Sequence, residues 1–396
     1  MNTKIDSSSL LKFFVKKFKL IKDRNKIKKL PLHEPQFSKL DEKYLLNCLR
    51  STFVSASGSY IDEFVNKLKK ITKSKYVLPI INGTSALHLA LIAAGVKKNT
   101  EVLMPSLNFI ASPNATLYLD AVPHFVESEE ETLGIDPIKL EKYLKQNTIV
   151  KNNICKNKKT KRIISAIIVV HIFGLASKID EIKRIAKKYK IKLIEDASEA
   201  LGSTYKKKSL GTFGDIGTIS FNGNKIITTG GGGAILTNSN KFFKNISKIY
   251  NTGKKQHKWN LEYERKAYNY RLPNLNAALG CAQISNFLKK IKRKRLIFKN
   301  YQKIFKKYNF LVELKKESKN SKSNYWLSTI LLKKSDIKLR NNILKKLNNI
   351  DVFVRPVWKL NHKLSYLSKF PKMNLSTSIN LEKRIINLPS SSHLKI

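Results

Sequence analysis

At 396 residues, 42% of them hydrophobic, the chain is long enough for one large domain and a smaller one, and too apolar to be disordered. Its formal net charge of +49, from 77 Lys and Arg against 28 Asp and Glu, would suit a polyanion partner. Lysine is instead spread over nearly every segment together with Asn and Ile, as A/T-rich codon usage produces, so nucleic-acid binding is not expected.

The chain begins with "SSSLLKFFVKKFKL" (7–20), an apolar stripe broken by lysines with no small-residue cleavage site after it. That pattern predicts an amphipathic helix rather than a signal peptide, within an N-terminal arm over 1–34. No apolar run approaches the roughly 20 residues needed to cross a bilayer, so no membrane partner is expected. Cys48, Cys155 and Cys281 lie far apart with no CxxC pair; neither a zinc site nor a disulfide framework follows, and a reducing cytoplasm fits best.

From residue 76 short apolar runs alternate with helical periodicity, which is how a mostly parallel sheet covered on both faces reads. "YVLPIIN" leads straight into "GTSALHLALIAAGV", and "EVLMPSLNF", "AVPHFVES", "SAIIVVHIFG", "IKLIEDASEA" and "GTISFNG" follow as strands. The expected large α/β domain runs from 35 to 280. After it come a long helix, "NFLKKIKRKRLIFKNYQKIFKKYNF", a strand in "NYWLSTILL" and a helix in "SDIKLRNNILKKLNN", a smaller domain over 281–396. The densest basic runs, "KNNICKNKKTKR" (151–162) and "KKIKRKR" (289–295), lack the aromatic interleaving of a base-stacking platform and read as a solvated loop and a helix face.

Three short stretches carry chemistry. In "NGTS" (82–85), Gly83 permits a tight turn, and Thr84 and Ser85 would offer amides and hydroxyls at the positive end of a helix, a small phosphate cup; an ordinary Ser/Thr cap has the same pattern. In "IEDASEA", Asp196 follows a buried apolar run at the carboxyl end of a strand, where open α/β sheets bind ligands. In "SFNGNKIITTGGGG" (220–233), Lys225 stands between Ser220 and four glycines. A desolvated lysine amine loses its proton more easily and can form an imine with a carbonyl. A phosphate cup, an acid and a lysine in this order are what pyridoxal phosphate needs.

With those residues in place, the chain resembles the DegT/DnrJ/EryC1/StrS sugar-nucleotide aminotransferases, pyridoxal-phosphate enzymes of fold type I, from "LPLHEP" (30–35) to "NLPSS" (387–391). "SFNGNKIITTGGGG" is similar to the branch that makes 4-amino-4,6-dideoxy sugars, and "PLHEP" to the legionaminic and bacillosamine type within it. The resemblance implies a mostly parallel sheet with helices on both faces and a smaller C-terminal α+β domain. It implies Lys225 as the Schiff-base lysine and Asp196 as partner of the pyridine nitrogen. Gly83, Thr84, Ser85 and Ser220 would surround the phosphate, and Phe109 would stack on the ring. Asn269 would reach the phosphate of a neighbouring subunit, which makes a homodimer with shared sites. His171 and Glu199 would lie near the cofactor, His171 toward substrate. Position 199 is often Gln or His across the family, a departure here.

The implied reaction carries an amino group from an amino acid, by resemblance L-glutamate, to C4 of a nucleotide-linked 4-keto-6-deoxy sugar, UDP-2-acetamido-2,6-dideoxy-hexos-4-ulose, for a surface polysaccharide or glycan. Relatives that dehydrate carry histidine in place of the lysine, so Lys225 favours transamination. Arg355 and Trp358, in "VRPVWKLNH", would face the sugar nucleotide, with domain packing as their other reading. Two different functions stay open: transfer at C3 of a keto sugar nucleotide, and a non-catalytic basic binding protein on the same scaffold.

Overall fold

A computed structural model describes residues 7–255 and 257–396; the first six residues of the N-terminal arm lie outside the described residues. The large sheet has seven strands in the order Tyr76–Ile80, Gly233–Thr237, Ile216–Ser220, Lys192–Asp196, Ile164–Val170, Glu101–Pro105 and Val122–Val126. Five neighbours run parallel, while Gly233–Thr237 lies antiparallel to both strands beside it. Three of these strands are buried from end to end and the other four at all but one residue, as both faces of a covered parallel sheet require. All six strands expected from the apolar runs are present. The seventh was hidden behind the glycine run.

Gly233 opens that seventh strand for a steric reason. A Cβ there would stand 2.8 Å from the carbonyl oxygens of both Asn82 and Ile219, a separation real side chains do not tolerate. The glycines are therefore not a free loop throughout: the last of them lets the antiparallel strand pass close to the turn that precedes the helix Gly83–Ala93.

The C-terminal region builds a four-stranded antiparallel sheet in the order Val312–Leu314, Ser328–Leu332, Ile385–Leu388, Arg355–Pro356. The N-terminal helix Ser7–Arg24 packs here. Its Leu10, Phe14, Phe18 and Ile21 are fully buried at helical spacing, against Tyr301, Phe305, Ile343 and Leu347. Each such side chain contributes about 1.5–3 kcal/mol by leaving water, so the arm is part of this region's core rather than an appendage.

The basic runs differ from their expected form. Residues 151–162 include a hairpin, Thr148–Lys151 with Ile154–Asn157, rather than a loop alone. The run 289–295 lies on the helix Phe287–Phe305, but it is not simply a solvated face. Lys290 and Lys294, four residues apart, are buried at 7% and 1% exposure.

Candidate active site

The strand Lys192–Asp196 ends in two acids, and strand alternation sends them to opposite faces. Glu195 is fully buried; it accepts hydrogen bonds from the backbone N–H groups of Gly211 (2.8 Å), Phe213 (2.5 Å) and Gly214 (2.6 Å) and from His171 Nε2 (3.0 Å). Burial alone would raise its carboxyl, but His171 and the amides outweigh burial and hold it below the usual range. The other nitrogen of His171 accepts from the Ser177 N–H at 3.3 Å. His171 is thus spent on the far face of the strand and does not line the cavity, which corrects its expected role toward substrate.

Asp196 takes the opposite face and lines a cavity of about 310 Å³ at the carboxyl ends of the parallel strands. Its Oδ1 accepts the Ser198 N–H at 3.0 Å. Lys225 enters the same cavity from the turn after the strand Ile216–Ser220. Its Nζ stands 3.4 Å from Glu199 Oε1 and 4.1 Å from the centre of the Trp326 ring.

Glu199 is also buried, and its second oxygen accepts the Phe173 N–H at 2.8 Å. Burial raises its carboxyl above the usual range, against the opposing pull of Lys225 and the Phe173 amide. Phe173 itself is held in the left-handed region at φ 55°, a conformation that costs a non-glycine residue on the order of 1–3 kcal/mol and that clusters at functional sites.

The helix Gly83–Ala93 points its N-terminus at the cavity. Asn82 caps it, its side-chain oxygen accepting the Ser85 N–H at 2.7 Å. Gly83, Thr84 and Ser220 line the cavity, and a Cβ at position 83 would come within 3.0 Å of Ser220 Cβ. Ser85 does not line it: its amide is taken by Asn82. The cup has one member fewer than expected, because a cap and a cup compete for the same amides.

Phe109 is half exposed on the cavity wall, edge-on to Trp358 with ring centres 6.1 Å apart. Trp358 lines the cavity as expected. Arg355 does not: it is exposed and donates to Asn348 Oδ1 at 3.3 Å. Asn269 is exposed, bridged through its backbone to Asn251, and lies outside the lining of its own chain's cavity.

Several lining residues had no local signature. Trp326 comes from the start of the C-terminal region, about 100 positions from Lys225. Asn108 was passed over beside Phe109, yet it is 1% exposed, lines the cavity, and neither its oxygen nor its nitrogen has a partner among the described residues. A buried unpaired carboxamide costs roughly 1–3 kcal/mol per group. Such an amide in a cavity wall is a signal for a ligand, visible only in three dimensions.

Comparison with known proteins agrees with this geometry. The family model for the DegT/DnrJ/EryC1/StrS aminotransferase family matches residues 35–396. The chain is 37% identical over 369 residues to a GDP-perosamine synthase of Escherichia coli O157:H7, covering 92% of this chain and 94% of the relative. It is 31% identical over 346 residues to a UDP-4-amino-4,6-dideoxy-N-acetyl-beta-L-altrosamine transaminase of Campylobacter jejuni, covering 87% and 88%. Among solved structures, Helicobacter pylori PseC, an aminotransferase involved in pseudoaminic acid biosynthesis, has the same fold, with a TM-score of 0.81 at 23% identity over 93% of this chain and 95% of that one. The cavity with its lysine, its strand-end acid and its glycine-led helix, together with a family match over nine-tenths of the sequence, establish that the chain belongs to the DegT/DnrJ/EryC1/StrS aminotransferase family, whose cofactor is pyridoxal phosphate.

Proposed function

We propose that this protein transfers an amino group from L-glutamate to C4 of a nucleotide-linked 4-keto-6-deoxy sugar destined for a surface polysaccharide or glycan. The observation that carries the reading is Lys225, an amine in a cavity whose wall also holds Asp196. The cavity fits pyridoxal phosphate on its own features: a helix start where a Cβ would crowd Ser220 at 3.0 Å, and the unpaired carboxamide of Asn108. When bound, that cofactor supplies a carbonyl for the lysine and an electron sink for the pair released at the donor's α-carbon.

The chain's own groups do the rest. Asp196, buried and capped by only one backbone amide, would hold a cationic ring nitrogen. Gly83, Thr84 and Ser220 would take the phosphate at the helix N-terminus, and the exposed face of Phe109 would cover the ring. The freed amine of Lys225 would move the proton between the two carbon positions that exchange it. Glu199 accepts at 3.4 Å and so keeps that amine inside the cavity between transfers. Trp358 would border the sugar. Three separated, buried, free cysteines suit a reducing cytoplasm, and no helix of the described residues is long and apolar enough to cross a membrane.

Relatives named for both UDP- and GDP-linked sugars support two substrates for the test. Purified, cofactor-loaded protein with glutamate is offered UDP-2-acetamido-2,6-dideoxy-hexos-4-ulose and a GDP-linked 4-keto-6-deoxy hexose, and the aminated product is weighed by mass spectrometry. Amination of the UDP sugar is the expected result; preference for the GDP sugar moves the substrate, and amination at C3 or none at all overturns the reading.

The working unit is proposed to be a homodimer in which Asn269 serves the partner's phosphate. Asn269→Asp would set a charge against the phosphate dianion, at a cost on the order of 1–4 kcal/mol. Co-refolded Lys225→Ala and Asn269→Asp chains should then regain activity, since one of the two sites collects both defects and the other none. If Asn269 acts within its own chain, mixing restores nothing.

A further inference from the structure

The peptide bond between Asn224 and Lys225 is fixed at both of its polar ends. The Lys225 N–H donates to Asn222 O at 2.9 Å, and the Asn224 carbonyl accepts from Trp326 Nε1 at 2.7 Å. With that peptide plane set, the Lys225 Cα is placed and only the rotation about its N–Cα bond is left to turn the side chain. The same indole that pins the backbone lies under the other end of the side chain, its ring centre 4.1 Å from Nζ.

Trp326 is held in turn by Asn324, two residues before it. Asn324 Oδ1 accepts the Trp326 N–H at 2.8 Å, and its Nδ2 donates to the carbonyls of Glu199 (2.9 Å) and Leu201 (3.0 Å). Between them, Tyr325 adopts a left-handed conformation at φ 46°, its ring stacked on Phe298 at 3.7 Å. Opposite Asn324 stands Gly174, where a Cβ would fall 2.0 Å from the Asn324 amide oxygen. One strained tripeptide from the C-terminal region thus grips the backbone of both members of the Lys225–Glu199 pair.

We infer that Asn324-Tyr325-Trp326 is the device that positions Lys225 against Glu199, with Trp326 as the positioning residue. The inference rests on the proposed function, since it assigns the device to the reacting lysine. Through its N–H, Trp326 aims the side chain; its ring face lies against the lysine nitrogen, the ring centre 4.1 Å from it. A misplacement of about 1 Å at a reacting group costs on the order of 10²-fold in rate, which is the effect a lost aim should have.

Two substitutions separate the two contacts. Trp326→Phe keeps a ring and loses the N–H; Trp326→Leu loses both. Wild-type protein is first loaded with pyridoxal phosphate. If it forms no lysine-bound absorption band, the proposed function itself fails, and that outcome is distinct from a failure of the device. Two readouts follow: the rate at which cofactor-free protein takes up pyridoxal phosphate, and the single-turnover rate and half-saturation with L-glutamate. Melting temperature reports whether each variant folds.

Trp326→Phe should melt within a few degrees of wild type, take up cofactor more slowly, and lose about tenfold in single-turnover rate at unchanged half-saturation by glutamate. Trp326→Leu should lose about 100-fold. A Phe variant that matches wild type in uptake and single-turnover rate, or one whose whole loss lies in glutamate saturation, overturns the inference.

Discussion

Lys225 is partly and the pair Lys290/Lys294 almost fully removed from water, and the protein treats them in opposite ways. Around Lys225 stand a carboxylate at 3.4 Å, an aromatic face and an open cavity. Lys290 reaches only neutral acceptors, the side-chain oxygen of Gln283 and the backbone carbonyl of Gln36, and Lys294 donates to Ser390 O at 2.6 Å. Burial pushes the Lys290 amine down to about 8, and burial with the neighbouring Lys290 pushes Lys294 well below its usual range. Burial alone therefore does not mark a reactive lysine here. What marks Lys225 is a carboxylate in direct contact and a place in the cavity at the strand ends that Asp196 also lines.

The sharpest way to break this comparison is to remove each amine in turn. Lys225→Ala should leave the melting temperature close to wild type and abolish turnover by more than about 10³-fold; activity near wild type would return Lys225 to the ranks of ordinary lysines. Lys290→Met keeps the apolar stem and removes the amine. A lysine whose folded value is depressed makes the protein gain stability as pH rises between the folded and unfolded values. The drop from 10.5 to about 8 corresponds to roughly 3–4 kcal/mol. Met at 290 should therefore be the more stable protein at pH 7, with the gap closing by about pH 10, and turnover should not change. A pH-independent difference in denaturant midpoint would count against the buried-charge explanation.

The smallest expected effect sharpens the comparison from the acid side. Glu199 has a raised folded value through burial, so the stability it withholds is small in acid and grows as pH rises through that value. Cofactor-free Glu199→Gln should melt slightly higher than wild type at pH 8, by about 2 °C for a chain of this size, and no higher at pH 4. A variant that melts lower at pH 8 would mean that the Lys225 contact outweighs the desolvation of the carboxylate.

Much of the site could be read from neighbours in sequence. Asp196 was visible because it ends an apolar strand, Lys225 because glycines follow it, and Gly83 and Thr84 because a strand runs directly into a helix. Trp358 and Phe109 came with the resemblance and stand on the cavity wall. What stayed hidden depended on contacts between distant residues or on which face a side chain takes. Trp326 reaches Lys225 from another region of the chain. His171 lies beside a cavity-lining residue, Val170, but its own side chain is committed to Glu195. Ser85 carries the right side chain, but its amide is spent as the capped group. Lys290 and Lys294 sit in a run that looks wholly solvated until the segment around Gln36 and the C-terminal tail cover one side of it.

The adjacent acids Glu195 and Asp196 also bear on folding accuracy. Their strand is buried on both faces, so no alternation of apolar and polar residues distinguishes its correct pairing from one slipped by a single position. The acids supply that distinction. A slip of one would turn the Glu195 carboxylate away from the three amides and the imidazole that satisfy it, and would carry Asp196 toward them on a shorter side chain. The slipped sheet would hold an unpaired buried charge, costing several kcal/mol. The acid on the far face thus guards the register that leaves its neighbour facing the cavity.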